Sequence, residues 1–551
     1  MMKAMKKVLA LVLAVVTVMG LVACSPATTI PEGAQTNKGP NGTNLDLDNL
    51  EFGTVTYPLQ TNHKLTIWCP THVAPVYSTY ESYKQSPWHT GLAKKTGVEV
   101  EWRHPVAGAD FVQAYQLMMT EDVLPDIISY GISAGEAQLM YDEKTIIDLT
   151  PYLEKYAPDY LKYITAPGRE EYLRSVTTED GQIFMVRLFT ESEYNSVAYG
   201  PVVRKDWLDE CGLEIPVTIA DWEVMLKTFR DKYGAKFTFP ISRFSAAGLA
   251  SGFGAFGSLN TNYYVDDGEI KLAQVQPEFK EYLGTLARWV DEGLMNVESL
   301  TMSDESFRTD ALNNDCGAAF VVMSLFTKMI SDAKAEKSKA EWIAVPYPVE
   351  AKGQPTSWIN YTSNIYDNGC VITTSCSEEK IATALQWLNY AYTEEGMLYY
   401  NFGEEGETFT KDANGVINFT DKIAKDRDGV AAGCSKYTGM GNVGCCGIQM
   451  ERHVYAKNDP VVAEGVYTWI GETEAAEHIV PNIILTADES ARHADLFMAF
   501  STYCNEMIQK IIAGEVSISE FDNMVNQMNK LGLQEALQIQ NDAYQRYINQ
   551  N

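Results

Sequence analysis

Two glycine-spaced segments carry the spacing of known chemistries. Gly131-Ile132-Ser133-Ala134-Gly135 fits G-x-S-x-G and lies between a predicted strand and a predicted helix, the setting in which a serine is exposed as an acyl-transfer nucleophile. A triad would also need a buried acid and a downstream histidine, for which His453, His478 and His493 are available, and no HGGG-like oxyanion segment precedes the strand. Gly252-Phe253-Gly254-Ala255-Phe256-Gly257 fits G-x-G-x-x-G, yet it follows SAAGLAS rather than a strand, and FGAFG opens a helix poorly. The dinucleotide context therefore fails, and the segment reads as a Gly-rich loop. The sequence has no P-loop, no C-x-x-C, no histidine pair at metal-site spacing and no D-x-[DN]-x-[DN]-G calcium loop. No metal or other cofactor is expected.

Positioning such residues requires a scaffold, and the hydrophobic pattern supplies one. Leu65 to Trp68 reads as a strand, Tyr80 to Lys95 as a helix and Val98 to Trp102 as a second strand; Phe111 to Met119 follows as a helix and Pro125 to Ser129 as a third strand. This alternation predicts an α/β fold with an open parallel sheet, whose ligands bind beyond the carboxyl ends of the strands. Thr218 stands where an N-cap is wanted, before a helix whose apolar face is Trp222, Met225, Leu226 and Phe229. Trp207 and Trp222 are assigned to packing. The C-terminal third is predicted to be mainly helical, ending with a helix over Ile518 to Ile548.

The first 24 residues place the chain outside the cell. Lys3, Lys6 and Lys7 precede an apolar stretch from Val8 to Met19 and then small residues, which is a secretory signal peptide over residues 1–23. The stretch is roughly 15 residues at most, short of the ~20 that a spanning helix needs. Leu21-Val22-Ala23-Cys24 is similar to the lipobox of bacterial lipoproteins, which implies acylation of the Cys24 thiol, palmitate included, and membrane contact through lipid alone at the extracellular face. Residues 24–62, rich in Pro, Thr, Asn and Gly, read as a lipidated flexible tether. With 43 Lys+Arg against 73 Asp+Glu the net charge is -30, which argues against nucleic acid as a partner. After Cys24 the remaining nine of ten cysteines are scattered irregularly. An odd number cannot all pair, so mostly buried thiols are expected, with the adjacent Cys445 and Cys446 unexplained.

One resemblance is specific. The order LPDII, DGQIFMV, VVRKDWLDECGLEIPVT-x-x-DW, EEGMLYYNFGEEGETFT and GLQEALQIQNDAYQRY resembles the family 1 extracellular solute-binding proteins, and within them the LplA-type lipoproteins of ABC sugar importers. It implies a two-lobed periplasmic-binding-protein-like fold with hinge strands and a largely helical C-terminal region. Residues 63–190 and 356–408 would form the first lobe, and 191–355 and 409–551 the second. It also implies a monomer that captures an oligosaccharide, or another small polar solute, between the lobes and delivers it to the permease. Sugar capture needs flat aromatic faces and a few placed polar groups. By position, Trp68, Thr71 and His72 follow the first strand, and Tyr130 and Ser133 the third; the resemblance implies that these loops contact sugar. Arg187 lies on the presumed hinge strand, Arg243 and Phe244 follow a second-lobe strand, and Trp358 and Asn360 follow the return hinge. Trp88 suits either the cleft or the core. Two rivals stand beside this reading: a surface esterase using Ser133, and a sensory binding lipoprotein.

Overall fold

The structure, a computed structural model, describes residues 43–70, 80, 83–106, 109–178, 180–195, 197, 199–238, 248–258, 262–359, 365–440, 446–471, 473, 475–481 and 483–549. β1 (Lys64–Trp68), β2 (Glu99–Arg103), β3 (Ile127–Gly131) and β4 (Met185–Thr190) come first in the chain. β5 (Tyr199–Arg204), β6 (Lys236–Thr238), β7 (Cys316–Val322) and β8 (Trp342–Ala344) follow, and β9 (Ile365–Ile372) and β10 (Gly447–Gln449) come last. They form a six-stranded sheet in the order β10-β4-β9-β3-β1-β2 and a four-stranded sheet in the order β8-β5-β7-β6.

The first sheet is buried on both faces, as parallel strands with helical crossovers must be. β1 pairs in parallel with β2 and β3, while β9 runs antiparallel to β3 and β4. Alternation splits the side chains: Leu65, Ile67, Ile127, Val186, Leu188, Cys370 and Ile372 enter one core, and Trp68, Ile128, Met185 and Val371 enter another on the opposite face. A separate core surrounds the second sheet, built from Val202, Val203, Phe237, Ala318, Phe320 and Trp342 together with Trp222, Met225, Leu226 and Phe229. Burying each of these large side chains contributes about 1.5–3 kcal/mol, so each sheet has the apolar mass of its own lobe.

Local chemistry sets the helix ends. Thr218 caps Ile219–Tyr233 with a full capping box, its hydroxyl accepting from the Asp221 N–H while the Asp221 carboxylate takes the Thr218 N–H, and Trp222 is fully buried as expected. Trp207 is buried too, stacked on Tyr233 at 4.1 Å. The helix expected from Tyr80 starts later, at Pro87, because Ser86 is its N-cap. The expected terminal helix is broken at Gly532, whose φ of 103° is left-handed, into Phe521–Lys530 and Leu533–Asn549.

Two expected boundaries move. The tether does not extend to Asn62: Leu45 is buried in the first lobe, the Gly53 N–H donates to Glu154 O at 2.7 Å and the Leu59 N–H to Thr96 O at 2.8 Å, and the Tyr57 hydroxyl donates to Gln386 O at 2.6 Å. A polar-looking segment is thus a strap whose few apolar residues are spaced to reach the lobe. Nor does the chain leave the first lobe at residue 408. β10 pairs in parallel with β4, and Met440 and Cys446 lie in the first core, so the last crossing falls between Gln449 and Val454, the latter in the second core.

The cysteines behave as buried thiols. Cys69, Cys316, Cys370, Cys376, Cys434, Cys446 and Cys504 are buried and Cys211 is half-buried; Cys445 lies outside the described residues.

Candidate functional site: an aromatic platform at the end of the third strand

Trp68 ends β1 and Tyr130 nearly ends β3, so both lie at the carboxyl edge of the first sheet. Tyr115, from the crossover helix Phe111–Met118, slides beneath Tyr130. The two rings stack with centroids 4.6 Å apart, and Trp68 meets Tyr130 edge-on at 5.6 Å and Tyr115 at 5.7 Å. Trp68 and Tyr115 are buried, whereas Tyr130 is half-buried. This offset-stacked, edge-supported cluster is the geometry aromatic quadrupoles favour. It holds the outer ring of Tyr130 rigidly.

A carboxylate borders the platform. The Tyr115 hydroxyl donates to Glu136 Oε1 at 2.9 Å. Burial, reinforced by the Glu136 charge, raises the Tyr115 pKa far above its ordinary value; burial, then Glu136 and Asp110, raises that of Tyr130. Both phenols therefore stay neutral and keep their protons as donors. Glu136 itself is placed by Ser133, whose hydroxyl caps the helix Ala134–Asp142 by accepting from the Glu136 N–H at 3.2 Å. The Ser-x-x-Glu spacing is that of a capping box, with the carboxylate diverted to Tyr115.

The three histidines available to the hydrolase motif are engaged elsewhere in the fold. His453 is fully buried between Phe402 and Phe419. His478 contacts Val265 O through Nδ1 at 2.7 Å, and His493 lies against Tyr263 and Gln540. None of the three is hydrogen-bonded to Ser133. The Gly-rich segment follows no strand either: Gly248–Phe253 is a 3-10 turn, and a Cβ on Gly252 would lie 2.6 Å from Ile219. Its glycines serve close packing.

Cross-strand register places Arg187 in the row of Tyr130. Tyr130 pairs with Gly369, and Gly369 pairs with Arg187, so the three occupy one row and project from one face of the sheet. Arg187 is 3% exposed. Trp88 is buried too, at 5% exposed; it donates through Nε1 to Tyr399 O at 3.3 Å and abuts Gly439. It is a core residue of the first lobe, and its β-free, helical position explains why. Trp358 pairs through its backbone with Gly257 of the second lobe. Thr71, His72, Arg243, Phe244, Asn360 and Cys24, the expected lipidation site, lie outside the described residues. Tyr115, Glu136 and Gly369 were not among the residues singled out from sequence; the Ser133-x-x-Glu136 spacing was the available signal for one of them. Among the described residues no cluster of three or more His, Cys, Asp or Glu side chains could hold a metal.

At the crossing between lobes a pocket of about 310 Å³ is lined by Ser192, Glu193, Tyr194, Glu451, Tyr467 and Ile470. Glu451 is tied there by the Ser192 hydroxyl at 2.6 Å and the Tyr467 hydroxyl at 2.5 Å, which braces the first and last crossings against each other.

The same two-lobed plan recurs in solved structures. FusA, an ABC-transporter substrate-binding protein of Streptococcus pneumoniae solved in complex with kestose, superposes with a TM-score of 0.70 at 18% identity, over 89% of this chain and 100% of that one. The fold is that of the extracellular solute-binding proteins. The same solute-binding fold is seen in a Bifidobacterium longum infantis HMO-binding, ABC-transporter-associated protein (TM-score 0.71, 17% identity, 88% of this chain and 99% of that one). It is seen again in the alginate-binding protein AlgQ2 (0.68, 19%, 89% and 99%). In sequence, the fructooligosaccharide ABC transporter substrate-binding protein FusA is 26% identical over 246 residues, 42% of this chain and 45% of that protein. Lipoprotein LipO of Bacillus subtilis is 23% identical over 353 residues, 61% and 66%. The aligned parts span less than half of the first relative and just under two thirds of the second. No protein-family model matches the chain. No helix among the described residues is long and apolar enough to cross a membrane.

Proposed function

We propose that the chain is the solute-binding subunit of an ABC importer, that it captures an oligosaccharide between its lobes, and that Cys24 carries a lipid anchor at the extracellular face of the membrane. The observation that carries this reading is the platform: the Tyr130 ring, stacked on Tyr115 and braced by Trp68, beside the Glu136 carboxylate. An aromatic face accepts the C–H side of a pyranose or furanose, and a carboxylate accepts paired hydroxyls. Such a wall of aromatic surface with a few fixed polar groups is what small-molecule sites are made of. With Glu136 and Asp110 acting on Tyr130, a neutral sugar unit suits the platform better than a uronate. Arg187 and the segments around Trp358 belong to the same proposed cleft.

No covalent step is required. Ser133 is used as a helix cap, and ligand binding would act by favouring the closed arrangement of the lobes. The test is a thermal-shift screen with fructo-, milk-type and N-glycan oligosaccharides, followed by calorimetry. A ligand at 100 times its Kd adds about 2.7 kcal/mol of stability, an upward shift easily read. Silence across neutral oligosaccharides, or turnover of esters lost in Ser133→Ala, would overturn the reading.

A further inference from the structure

The lobes touch at a place other than the hinge crossings. The helix Ala134–Asp142 belongs to the first lobe through Ala137 and Met140, and the helix Ala487–Ile512 to the second through Phe500 and Cys504. They meet at Gly135, where a Cβ would lie 3.1 Å from Ser490 Cβ and 3.5 Å from Leu485 O. A side chain at this position would have to push Ser490 back by a few tenths of an ångström. Beside Ser490, Glu489 is gripped by Arg546 through two hydrogen bonds of 2.9 and 2.5 Å. The next residue, Tyr547, receives the Arg174 guanidinium over its ring at 4.8 Å. Arg174 lies on Glu170–Val176, whose Leu173 and Val176 are in the first core. The C-terminal helix is meanwhile fixed to the second lobe by Asn541, which donates to Ile270 O and accepts the Ile270 N–H.

The geometry points to a clasp: the last turn of the chain, anchored on the second lobe, holds the first lobe through Tyr547–Arg174 and the Gly135–Ser490 contact, and so sets how readily the cleft opens. The clasp shares a helix with the platform, since Gly135 neighbours Glu136, so the side chain bordering the candidate site and the lobe contact move together. The inference rests on the contacts alone and holds whatever solute is bound. A cation on an aromatic face is a modest interaction, which suits a contact that must break at each opening. Its loss corresponds to roughly a two- to five-fold rise in the open-to-closed ratio at exposed sites.

The experiment uses the full chain with Cys211→Ser, labelled at Glu143→Cys in the first lobe and Glu298→Cys in the second, and reads the inter-lobe distance distribution by electron paramagnetic resonance without ligand. Arg174→Gln and Tyr547→Ala should each enlarge the long-distance population two- to five-fold, Gly135→Leu at least as much, and Tyr547→Phe should leave it unchanged because the ring face remains. Circular dichroism on each variant identifies any that fails to fold, and the variants at the other positions still decide. Unchanged distributions in folded Arg174→Gln and Gly135→Leu overturn the clasp, as does a Tyr547→Phe variant that opens like Tyr547→Ala.

Discussion

Tyr130 and Arg187 stand on either side of Gly369 in a single row of the first sheet, separated by two strand spacings, or about 10 Å. A tyrosine and an arginine thus flank a glycine that Met185 Cε and the Val186 carbonyl approach closely. A Cβ at 369 would lie 2.9 Å from Met185 Cε, so Gly369→Val is expected to cost about 1–3 kcal/mol of stability by overpacking and to weaken oligosaccharide binding at least ~10-fold. Urea denaturation and calorimetry on the same preparation separate the two effects.

Tyr130 carries the opposite expectation. Its ring is half-buried and lies at the edge of its core, so Tyr130→Ala should leave the melting temperature within a few degrees of the parent. The loss of a stacking anchor costs about 2 kcal/mol or more in binding, roughly 30-fold in Kd. Tyr130→Phe should bind nearly as well as the parent. A Kd unchanged by Tyr130→Ala would remove the platform from the site.

Ser133→Ala tests the cap against the nucleophile. Loss of an N-cap hydroxyl costs about 1 kcal/mol, seen as a lower denaturation midpoint with an unchanged slope. Ester hydrolysis should be as absent in the parent as in the variant.

Acid should weaken the fold through its buried histidines. Burial pulls His89 from 6.5 down to about 3 and holds His453 well below its ordinary value. Below pH 6.5 the unfolded chain binds protons that the folded one refuses, so stability is present above that pH and is lost as pH falls, at up to about 1.4 kcal/mol per pH unit for each histidine. Both ring nitrogens of His453 are buried without a hydrogen-bond partner. Replacing it by Leu should therefore flatten the melting-temperature profile between pH 6.5 and 5; an unaltered slope would locate the acid sensitivity elsewhere.

Asp126 is a structural counterpart to these. It is 4% exposed, accepts the Thr66 N–H at 2.7 Å and the Thr66 hydroxyl at 3.0 Å, and pairs with Lys380 at 3.0 Å. Removing one partner of such a pair leaves unmet donors, so Asp126→Ala should cost about 3 kcal/mol, measured by guanidinium unfolding.

How far the sequence reached depended on whether the signal was local. Strand-helix alternation from Leu65 to Ser129 and the Thr218 cap are short-range patterns, and both survive in the fold. The second lobe boundary was out of reach because β10 is three residues long and its place beside β4 is fixed by a partner some 260 residues earlier in the chain. Tyr130 could be chosen as the end of a strand. Tyr115 and Glu136 could not, since neither stands at a strand end and their contact joins two different crossover helices. Trp88 could be read from sequence as either cleft or core; the Ser86 cap two residues before it starts the helix there, and the ring is buried in the first core.

The first sheet has a further implication for how the chain comes together in time. β4 sits between β9 and β10, yet these are made after the entire second sheet, so during synthesis or export both borders of β4 wait unpaired while some 180 to 260 residues arrive. Open strand borders invite pairing with other chains, and distant pairings close slowly. The first lobe, although it emerges first, therefore stays open until β10 is made, and a chain halted before residue 447 would expose that gap as a site for chaperone or protease.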